Sequence, residues 1–368
     1  MNAAGSRRTA VSALLALVVL TPGLDAPAGA AVKGASAARG GYEGFTDPQP
    51  VTIRGYSGSA MEPFISGDGR YLLFNTSNVS PNIPALEYAT RVDAQTFSYQ
   101  GQISGANDPG VLSGTPTMDE EGNLYFVSTR SYSQTLSTIY TGQFASGQVT
   151  DVRLAPGVSA ASAGIVDFDV DVSPDGNSLY VSVGQFDGGS GPQNSSIVLF
   201  DKEGSGFVAD PDSARILHAV NSKKMLDYAA SISSDGLELF FTRASPSGSV
   251  PTIYRAVRTR IGRPFGHVQM VAAITGFAEA PSLSADGSTL YYHLLVGDQF
   301  DIETVTRPPT SSGAVRRGVD RTTRRRTPCG RKMEVQGSGG MGTPWLLSDA
   351  PRVGGLHHGR RSHRTRGT

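Results

Sequence analysis

The stretch "APSLSADGSTLYY", residues 280–292, combines three features that recur along the chain. It starts with small residues, passes through an Asp-Gly pair and ends in an apolar and aromatic run. An Asp-Gly pair between two apolar runs favours a hairpin, because Gly accepts a positive φ and Asp bonds back to the turn backbone. Each copy therefore predicts two strands joined by a tight turn. The other copies are "EPFISGDGRYLLF" (62–74), "TPTMDEEGNLYF" (115–126), "DVDVSPDGNSLYV" (169–181) and "AASISSDGLELFF" (229–241).

The spacing of the copies predicts the architecture. Consecutive turn glycines lie 53, 54, 60 and 51 residues apart. A period of about 40–50 residues or slightly more, with β-type sequence inside it, is typical of propeller blades. We assign the repeated turn residues a structural role, since a functional site rarely requires one copy per blade. These residues are Asp68, Gly69, Glu121, Gly122, Asp175, Gly176, Asp235, Gly236, Asp286 and Gly287.

Two more strands complete the predicted blade. Before the first repeat, "QPVTIRGY" (49–56) looks like an outer strand without a unit of its own, and the fifth unit lacks a clear fourth strand. We therefore predict an all-β propeller with five recognisable four-stranded blades, closed by an N-terminal outer strand that completes the last blade. Third strands are predicted at 137–144, 195–202, 251–258 and 301–307, and outer strands at "GQVTDVRL" (147–154), "ARILHAV" (214–220) and "VQMVAAI" (268–274).

The repeat unit P-x-x-S-x-D-G-x-x-L-Y-F, followed by a polar loop and Ile-Tyr, resembles the WD40-like (PD40) repeat of the TolB-like β-propeller family over residues 49–307. The second unit departs from this pattern, with Asp119 in place of Ser and Glu121 in place of Asp, and the first has Gly67 where Pro is frequent. The resemblance implies a secreted or periplasmic bacterial protein that often works in an envelope complex. Most members of that family carry six blades, which leaves a degenerate or frame-disrupted sixth blade open.

The charge of the chain is divided between two regions. The whole chain has 32 Lys and Arg against 32 Asp and Glu, but residues 310–368 hold 13 basic and 3 acidic residues. Residues 1–309 are therefore about −10 by subtraction. The tail is a disordered basic extension, a degenerate blade or a blade garbled by a reading-frame error, and the abrupt change near Pro309 favours the latter two. Its arginines lack interleaved aromatics, so we expect no specific nucleic-acid binding.

The N-terminus has the parts of an export signal. Arg7 and Arg8 form a charged region, residues 10–20 an apolar core, and residues 28–31 a small-residue cleavage site. The apolar run is too short to span a bilayer, so we expect no transmembrane anchor. We predict secretion or periplasmic localisation through a Sec signal peptide, and the paired arginines leave twin-arginine export open.

The sequence also bounds the domains and the chemistry. Cys329 is the single cysteine, which excludes an intrachain disulfide and a cysteine-based metal site. We expect no metal, no cofactor and a monomeric protein. The predicted segments are a signal peptide (1–31), a flexible linker (32–48), the propeller (49–309) and a basic tail or degenerate sixth blade (310–368).

Acidic residues at the entry of the repeats are the candidate binding residues. Asp167, Asp169 and Asp171 alternate along one predicted strand, so their side chains should share a face. Three carboxylates on one face suit a hard cation or the lining of a central channel. Comparable segments of other repeats contribute Glu62, Asp227 and Glu279. The competing interpretation places all of these carboxylates on the solvated tops of the blades.

These features predict function only as a class. No G-x-S-x-G or Walker motif is present, and we assign no catalytic residue. We predict an exported non-enzymatic propeller that binds a protein or a cell-surface polymer. The alternative is an extracellular carbohydrate-active hydrolase, because two channel carboxylates about 5–10 Å apart would suit glycoside hydrolysis.

Overall fold

A computed structural model describes residues 44–159, 162–186, 191–246 and 250–308. Within these residues the chain forms 21 strands and two one-turn helices, α1 (Tyr132–Thr135) and α2 (Ser213–Ile216). The strands form five antiparallel blades, and each blade runs from an innermost strand to an outer one. The predicted five-bladed propeller is therefore confirmed.

The blades follow the repeats in order. Blade 1 contains β3 (Met61–Ile65), β4 (Tyr71–Asn75), β5 (Leu86–Arg91) and β6 (Thr96–Gln102). Blade 2 contains β7 (Ser113–Met118), β8 (Asn123–Ser128), β9 (Ile139–Ala145) and β10 (Gln148–Leu154). Blade 3 contains β11 (Ile165–Val172), β12 (Ser178–Gln185), β13 (Asn194–Glu203) and β14 (Gly206–Ala209). Blade 4 contains β15 (Leu226–Ile232), β16 (Glu238–Ala244), β17 (Thr252–Val257) and β18 (Gly266–Met270). Blade 5 contains β19 (Ala278–Leu283), β20 (Thr289–Val296), β21 (Gln299–Thr306) and β1 (Thr46–Pro50).

The apolar cores lie between neighbouring blades. The strand after each turn is apolar on both faces because both of its faces pack against other blades. One pair of core residues represents each blade interface: Leu73 and Phe126, Val127 and Leu179, Tyr180 and Phe241, Phe240 and Tyr292, and Phe74 and Tyr291.

The N-terminal strand closes the ring, as predicted. β1 pairs antiparallel with β21, with Thr46 opposite Thr306. The closing strand lies at 46–50 rather than 49–56, so the predicted linker (32–48) ends earlier than the sequence suggested. The remainder of that stretch, β2 (Thr52–Arg54), pairs in parallel with β6 of blade 1. β1 covers the outer edge of blade 5, and β2 covers the outer edge of blade 1.

Blades 5 and 1 contact each other directly. The Ile65 N–H of the innermost strand of blade 1 donates to Ser282 Oγ of blade 5 at 3.1 Å. The described blades therefore close as a ring of five. The tail at 310–368, where a sixth blade was considered, lies outside the described residues.

Two predicted outer strands differ from the structure. The prediction of a strand at 214–220 is wrong, because the first residues of this stretch lie in α2. Arg215 in this helix forms an ion pair with Asp212 at 2.6 Å. The outer strand of blade 3 is β14, which pairs with β13 earlier in the chain. The predicted strand at 268–274 begins and ends earlier, as β18.

The Ser-x-Asp-Gly turn has the same hydrogen bonds in four blades. In blade 3, Ser173 Oγ donates to Asp175 Oδ1 at 2.6 Å and accepts from the Ser178 N–H at 2.9 Å. Gly176 has φ 69°, a left-handed conformation that favours glycine. The divergent turn of blade 2 uses Asp119 alone, whose Oδ1 accepts from the N–H groups of Glu121 and Asn123. One carboxylate thus replaces the Ser and Asp pair.

Arginines at the ends of third strands hold three of the turns. Arg258 Nε donates to the carbonyl of the turn residue Gly236 at 2.7 Å, and its guanidinium lies 4.5 Å from the Phe265 ring centre. Arg307 does the same with Gly287 at 2.7 Å and lies 4.4 Å from the Phe45 ring centre. Phe45 lies just before β1 and occupies in blade 5 the place that Phe265, just before β18, occupies in blade 4.

Candidate functional site

The five innermost strands bring one residue each to the axis of the ring. This residue stands seven positions before the turn glycine, and all five line a cavity of about 20 Å³. A volume of this size holds about one water molecule. At this position blades 1 and 3 contribute a carboxyl, from Glu62 and Asp169, and blade 2 contributes a hydroxyl, from Thr115. The full set is Glu62, Thr115, Asp169, Ala229 and Ala280.

A backbone bulge separates the three aspartates of blade 3. The pairing of β11 with β12 shifts between Asp167 and Asp169, so the simple alternation of side chains is interrupted there. Asp169 and Asp171 line the axial cavity, whereas Asp167 does not. The expectation of one shared carboxylate face is therefore wrong for Asp167.

All six candidate carboxylates are buried. Their exposed fractions range from 0% for Asp227 to 8% for Glu62. The interpretation as solvated acids on the blade tops is therefore wrong. The structure brings Glu62, Asp169 and Asp171 to one cavity and places Asp167, Asp227 and Glu279 outside its lining.

Asp171 and Asp227 have hydrogen-bond or ion-pair partners within the fold. Asp171 Oδ1 accepts from Thr117 Oγ1 at 3.0 Å, and its Oδ2 accepts from the Ile232 N–H of blade 4 at 2.9 Å. Asp227 pairs with Arg243 Nε at 2.6 Å and accepts from the Ser222 N–H at 2.6 Å. Both carboxylates connect segments of the propeller and are satisfied without a ligand.

Glu279 lies behind the axial cavity in a buried polar network. Its Oε1 accepts from the Tyr228 hydroxyl, and its Oε2 lies 3.2 Å from His293 Nε2. The other ring nitrogen, His293 Nδ1, accepts from the Glu62 N–H at 3.1 Å. The network thus connects Glu279 to the backbone of an axial carboxylate.

Burial makes the axial carboxyls hard to ionise. It raises the pKa of Glu62 to about 7, and the charge of Glu279 reinforces this increase. Burial also raises the pKa of Asp171 to about 7. The pKa of Asp169 lies well above its usual value, because burial is reinforced by the charges of Glu62 and Asp171. Such shifts are frequent at functional sites.

Two polar atoms near the axis are available to a ligand. Thr115 Oγ1 and Asn78 Oδ1 are buried and have no hydrogen-bond partner among the described residues. Asn78 Nδ2 lies 3.5 Å from Glu62 Oε1. In the described part of the chain, no group of three or more His, Cys, Asp or Glu is arranged to hold a metal ion.

A larger concavity lies between blades 1 and 2 on the side of the turns. This inter-blade cleft has a volume of about 580 Å³. The rings of Tyr71 and Phe144 pack edge to face in its wall at 5.3 Å between centroids. Three exposed carboxylates, Asp68, Glu120 and Glu121, line the cleft beside them, and the fourth lining acid, Asp119, is buried in the turn. None of the described lining residues is Lys or Arg.

The sequence analysis did not identify this cleft, although one signal was present. The second repeat reads "MDEEG" where the others read Ser-x-Asp-Gly, and its Glu120 and Glu121 are exposed. The departure adds acidic side chains at one blade interface. The Gly, Ser and Pro-rich loops at 184–196 and 243–251 are only partly within the described residues.

Comparisons with known proteins give likenesses of low identity. No protein-family model and no curated protein matches the chain. TolB from Acinetobacter baumannii aligns at 15% identity and TM-score 0.39, covering 69% of this chain and 55% of that one. The chain thus spans about half the length of that structure.

Carbohydrate-active enzymes give similar values. The catalytic domain of Coprinopsis cinerea GH62 α-L-arabinofuranosidase aligns at 12% identity and TM-score 0.42, covering 72% of this chain and 96% of that one. The endo-arabinase from Bacteroides thetaiotaomicron aligns at 13% and 0.45, covering 72% and 97%. At these sequence identities and TM-scores, the similarities do not distinguish a binding protein from a hydrolase.

No helix among the described residues is long and apolar enough to cross a membrane.

Proposed function

We propose that this chain is an exported non-enzymatic propeller that binds a basic segment of an envelope protein or cell-surface polymer in the inter-blade cleft. The cleft itself carries this proposal. Its volume of about 580 Å³ lies in the range of about 300–1,000 Å³ typical of ligand sites. Exposed carboxylates beside Tyr71 and Phe144 suit a partner with Lys or Arg next to an apolar or aromatic side chain.

The rest of the chain is consistent with this proposal. The predicted N-terminal export signal would direct the protein to the envelope, where proteins with the TolB-like repeat that this chain resembles often work. The net charge of about −10 on residues 1–309 would attract basic partners from a distance. The axial cavity, by contrast, admits about one water molecule.

Charge reversal tests this function. The mature chain would capture partners from an envelope extract of its own host, in parallel with a Glu120→Lys/Glu121→Lys variant. We expect the double variant to lose its partner by at least about tenfold in affinity, because like charges would then face each other. Glu203→Lys, at the exposed end of β13, is the matched control and should bind as the wild type does. Equal binding by all three proteins would refute the cleft as the site.

A hydrolase is the second candidate, favoured by the axial carboxylates. Glu62 and Asp169 occupy equivalent positions in blades 1 and 3 and line one cavity. A carboxyl that stays protonated near neutral pH can act as a general acid, and a second carboxylate can act as nucleophile or base. The axial cavity, with a volume of about 20 Å³, is too small to enclose a sugar ring, so a substrate would bind at its opening.

Hydrolysis is tested with arabinan and other plant and bacterial polysaccharides as substrates. If the chain is a hydrolase, new reducing ends will appear, and Glu62→Gln and Asp169→Asn will each reduce their release by about 100-fold or more. If it is a binding protein, neither variant will change the partner captured through the cleft.

A further inference from the structure

Four blade junctions share a hydrogen bond that the sequence analysis did not identify. The backbone N–H of the axial residue donates to a polar side chain of the preceding blade, six residues after that blade's turn glycine. Each donor residue has a left-handed φ between 48° and 54°. The pairs are Thr115 with Asn75 Oδ1 at 3.0 Å, Ala229 with Ser182 Oγ at 3.0 Å, Ala280 with Thr242 Oγ1 at 3.0 Å, and Glu62 with His293 Nδ1 at 3.1 Å.

The junction between blades 5 and 1 differs from the others in two ways. Its acceptor is an imidazole, and its donor residue, Glu62, carries a carboxyl into the axial cavity. A left-handed φ is strained for a residue other than glycine, so the conformation persists only where surrounding contacts hold it. At Glu62, the hydrogen bond from its N–H to His293 Nδ1 is the contact that holds this conformation.

The acceptor role of His293 Nδ1 fixes the position of its proton. A neutral imidazole that accepts at Nδ1 carries hydrogen at Nε2, and that N–H faces Glu279 Oε2 at 3.2 Å. Tyr228 donates to the other oxygen of Glu279. His293 is fully buried, and its ring packs edge to face on Phe300 at 5.2 Å. Tyr228 and His293 each donate to a different oxygen of Glu279. A carboxylate can accept both hydrogen bonds because both of its oxygens are acceptors.

We propose that Tyr228, Glu279 and His293 form a positioning relay that holds the backbone of Glu62 so that its carboxyl faces the axial cavity. Glu279 is therefore a positioning residue that selects the histidine tautomer, and His293 transmits this choice to Glu62. A catalytic role for the relay rests on the second candidate function above, the axial hydrolytic site. The hydrogen bonds of the relay do not depend on that function.

Two variants of His293 isolate the hydrogen bond from the charge. His293→Asn keeps an acceptor, as Asn75 does at the next junction, whereas His293→Leu has none, and both lack the imidazole. With 13C-labelled glutamate, assigned through Glu62→Gln, NMR titration should show the Glu62 midpoint differing between the two variants by about one pH unit. Thr242→Val removes the equivalent bond at Ala280 and should leave the Glu62 midpoint unchanged. Equal midpoints in the two His293 variants, or an equal shift in Thr242→Val, would overturn the relay.

The histidine tautomer provides a second measurement on the folded wild type. Long-range 15N spectra of the full chain should show His293 protonated at Nε2 only. Glu279→Gln offers one acceptor to two donors, so it should mix the tautomers or reverse them. A wild-type Nδ1–H tautomer would refute the proposal even if His293→Leu does not fold. Neither spectrum depends on catalysis, so a failed relay and a failed hydrolase are distinguishable.

Discussion

The serine of the repeated turn determines the turn's hydrogen bonds at the scale of one residue. Its hydroxyl donates to the turn aspartate and accepts from the backbone N–H five residues on, at 2.6 and 2.9 Å in blade 5. Burial alone would raise the pKa of Asp286, but hydrogen bonds from Ser284 and Ser288 outweigh it and hold the pKa below its usual value. The pKa values of Asp68 and Asp175 are lowered in the same way by hydrogen bonds from their turns.

Removing one such serine tests this role. Ser173→Ala loses the bond to Asp175 and leaves the Ser178 N–H without its acceptor. We expect the free energy of unfolding to fall by about 1 kcal/mol, measured by urea denaturation. Ser57→Ala, at an exposed serine outside the turns, is the control and should change little. A stability equal to that of the wild type would contradict the role of the hydroxyl.

At the scale of elements, β1 supplies the last strand of the ring. Its entry residue, Phe45, is 8% exposed, packs edge to face on Phe240 at 5.7 Å and lies under the Arg307 guanidinium. Arg307 also pairs with the buried Glu238 of blade 4. Blades 4 and 5 and the N-terminal segment therefore meet at one buried cluster.

Truncating Phe45 should loosen this closure. We expect Phe45→Ala to cost about 3 kcal/mol of stability and to speed hydrogen exchange in β21. Phe265→Ala, the equivalent change beneath Arg258 in blade 4, should cost a similar amount but leave β21 protected at low denaturant. If Phe45→Ala leaves exchange in β21 unchanged, β1 does not maintain the closure.

At the scale of the whole molecule, the axial carboxyls make stability depend on pH. Glu62 and Asp171 have pKa values raised to about 7, against about 4 in an unfolded chain. Between these values the folded protein binds more protons than the unfolded one, so the free energy of unfolding falls as pH rises. Asp68, Asp175 and Asp286, with lowered pKa values, act in the opposite direction but only below about pH 4.

We therefore expect the Tm to be higher at pH 5 than at pH 8. Calorimetry of the wild type, Glu62→Gln and Asp171→Asn at constant ionic strength measures this dependence. Each variant removes one titrating carboxyl and should flatten the profile, whereas Asp175→Asn, in an exposed turn, should leave the slope above pH 5 unchanged. A Tm that is constant or rises between pH 5 and 8 would contradict the inferred shifts.

The sequence by itself determined the repeat, the turns and the number of recognisable blades. Ser173, Asp175 and Gly176 act on each other within a few residues, so their pattern shows their role directly. The polar residue six positions after each turn glycine was equally visible. Its role as an acceptor was not, because its partner belongs to the next blade.

Only the tertiary structure decided where the carboxylates face. A bulge in β11 separates Asp167 from Asp169, and ring closure places Glu62 beside His293, which is 231 residues away in sequence. The cleft depends on two blades lying side by side. Burial and long-range contacts arise when the ring closes, and no local pattern specifies them.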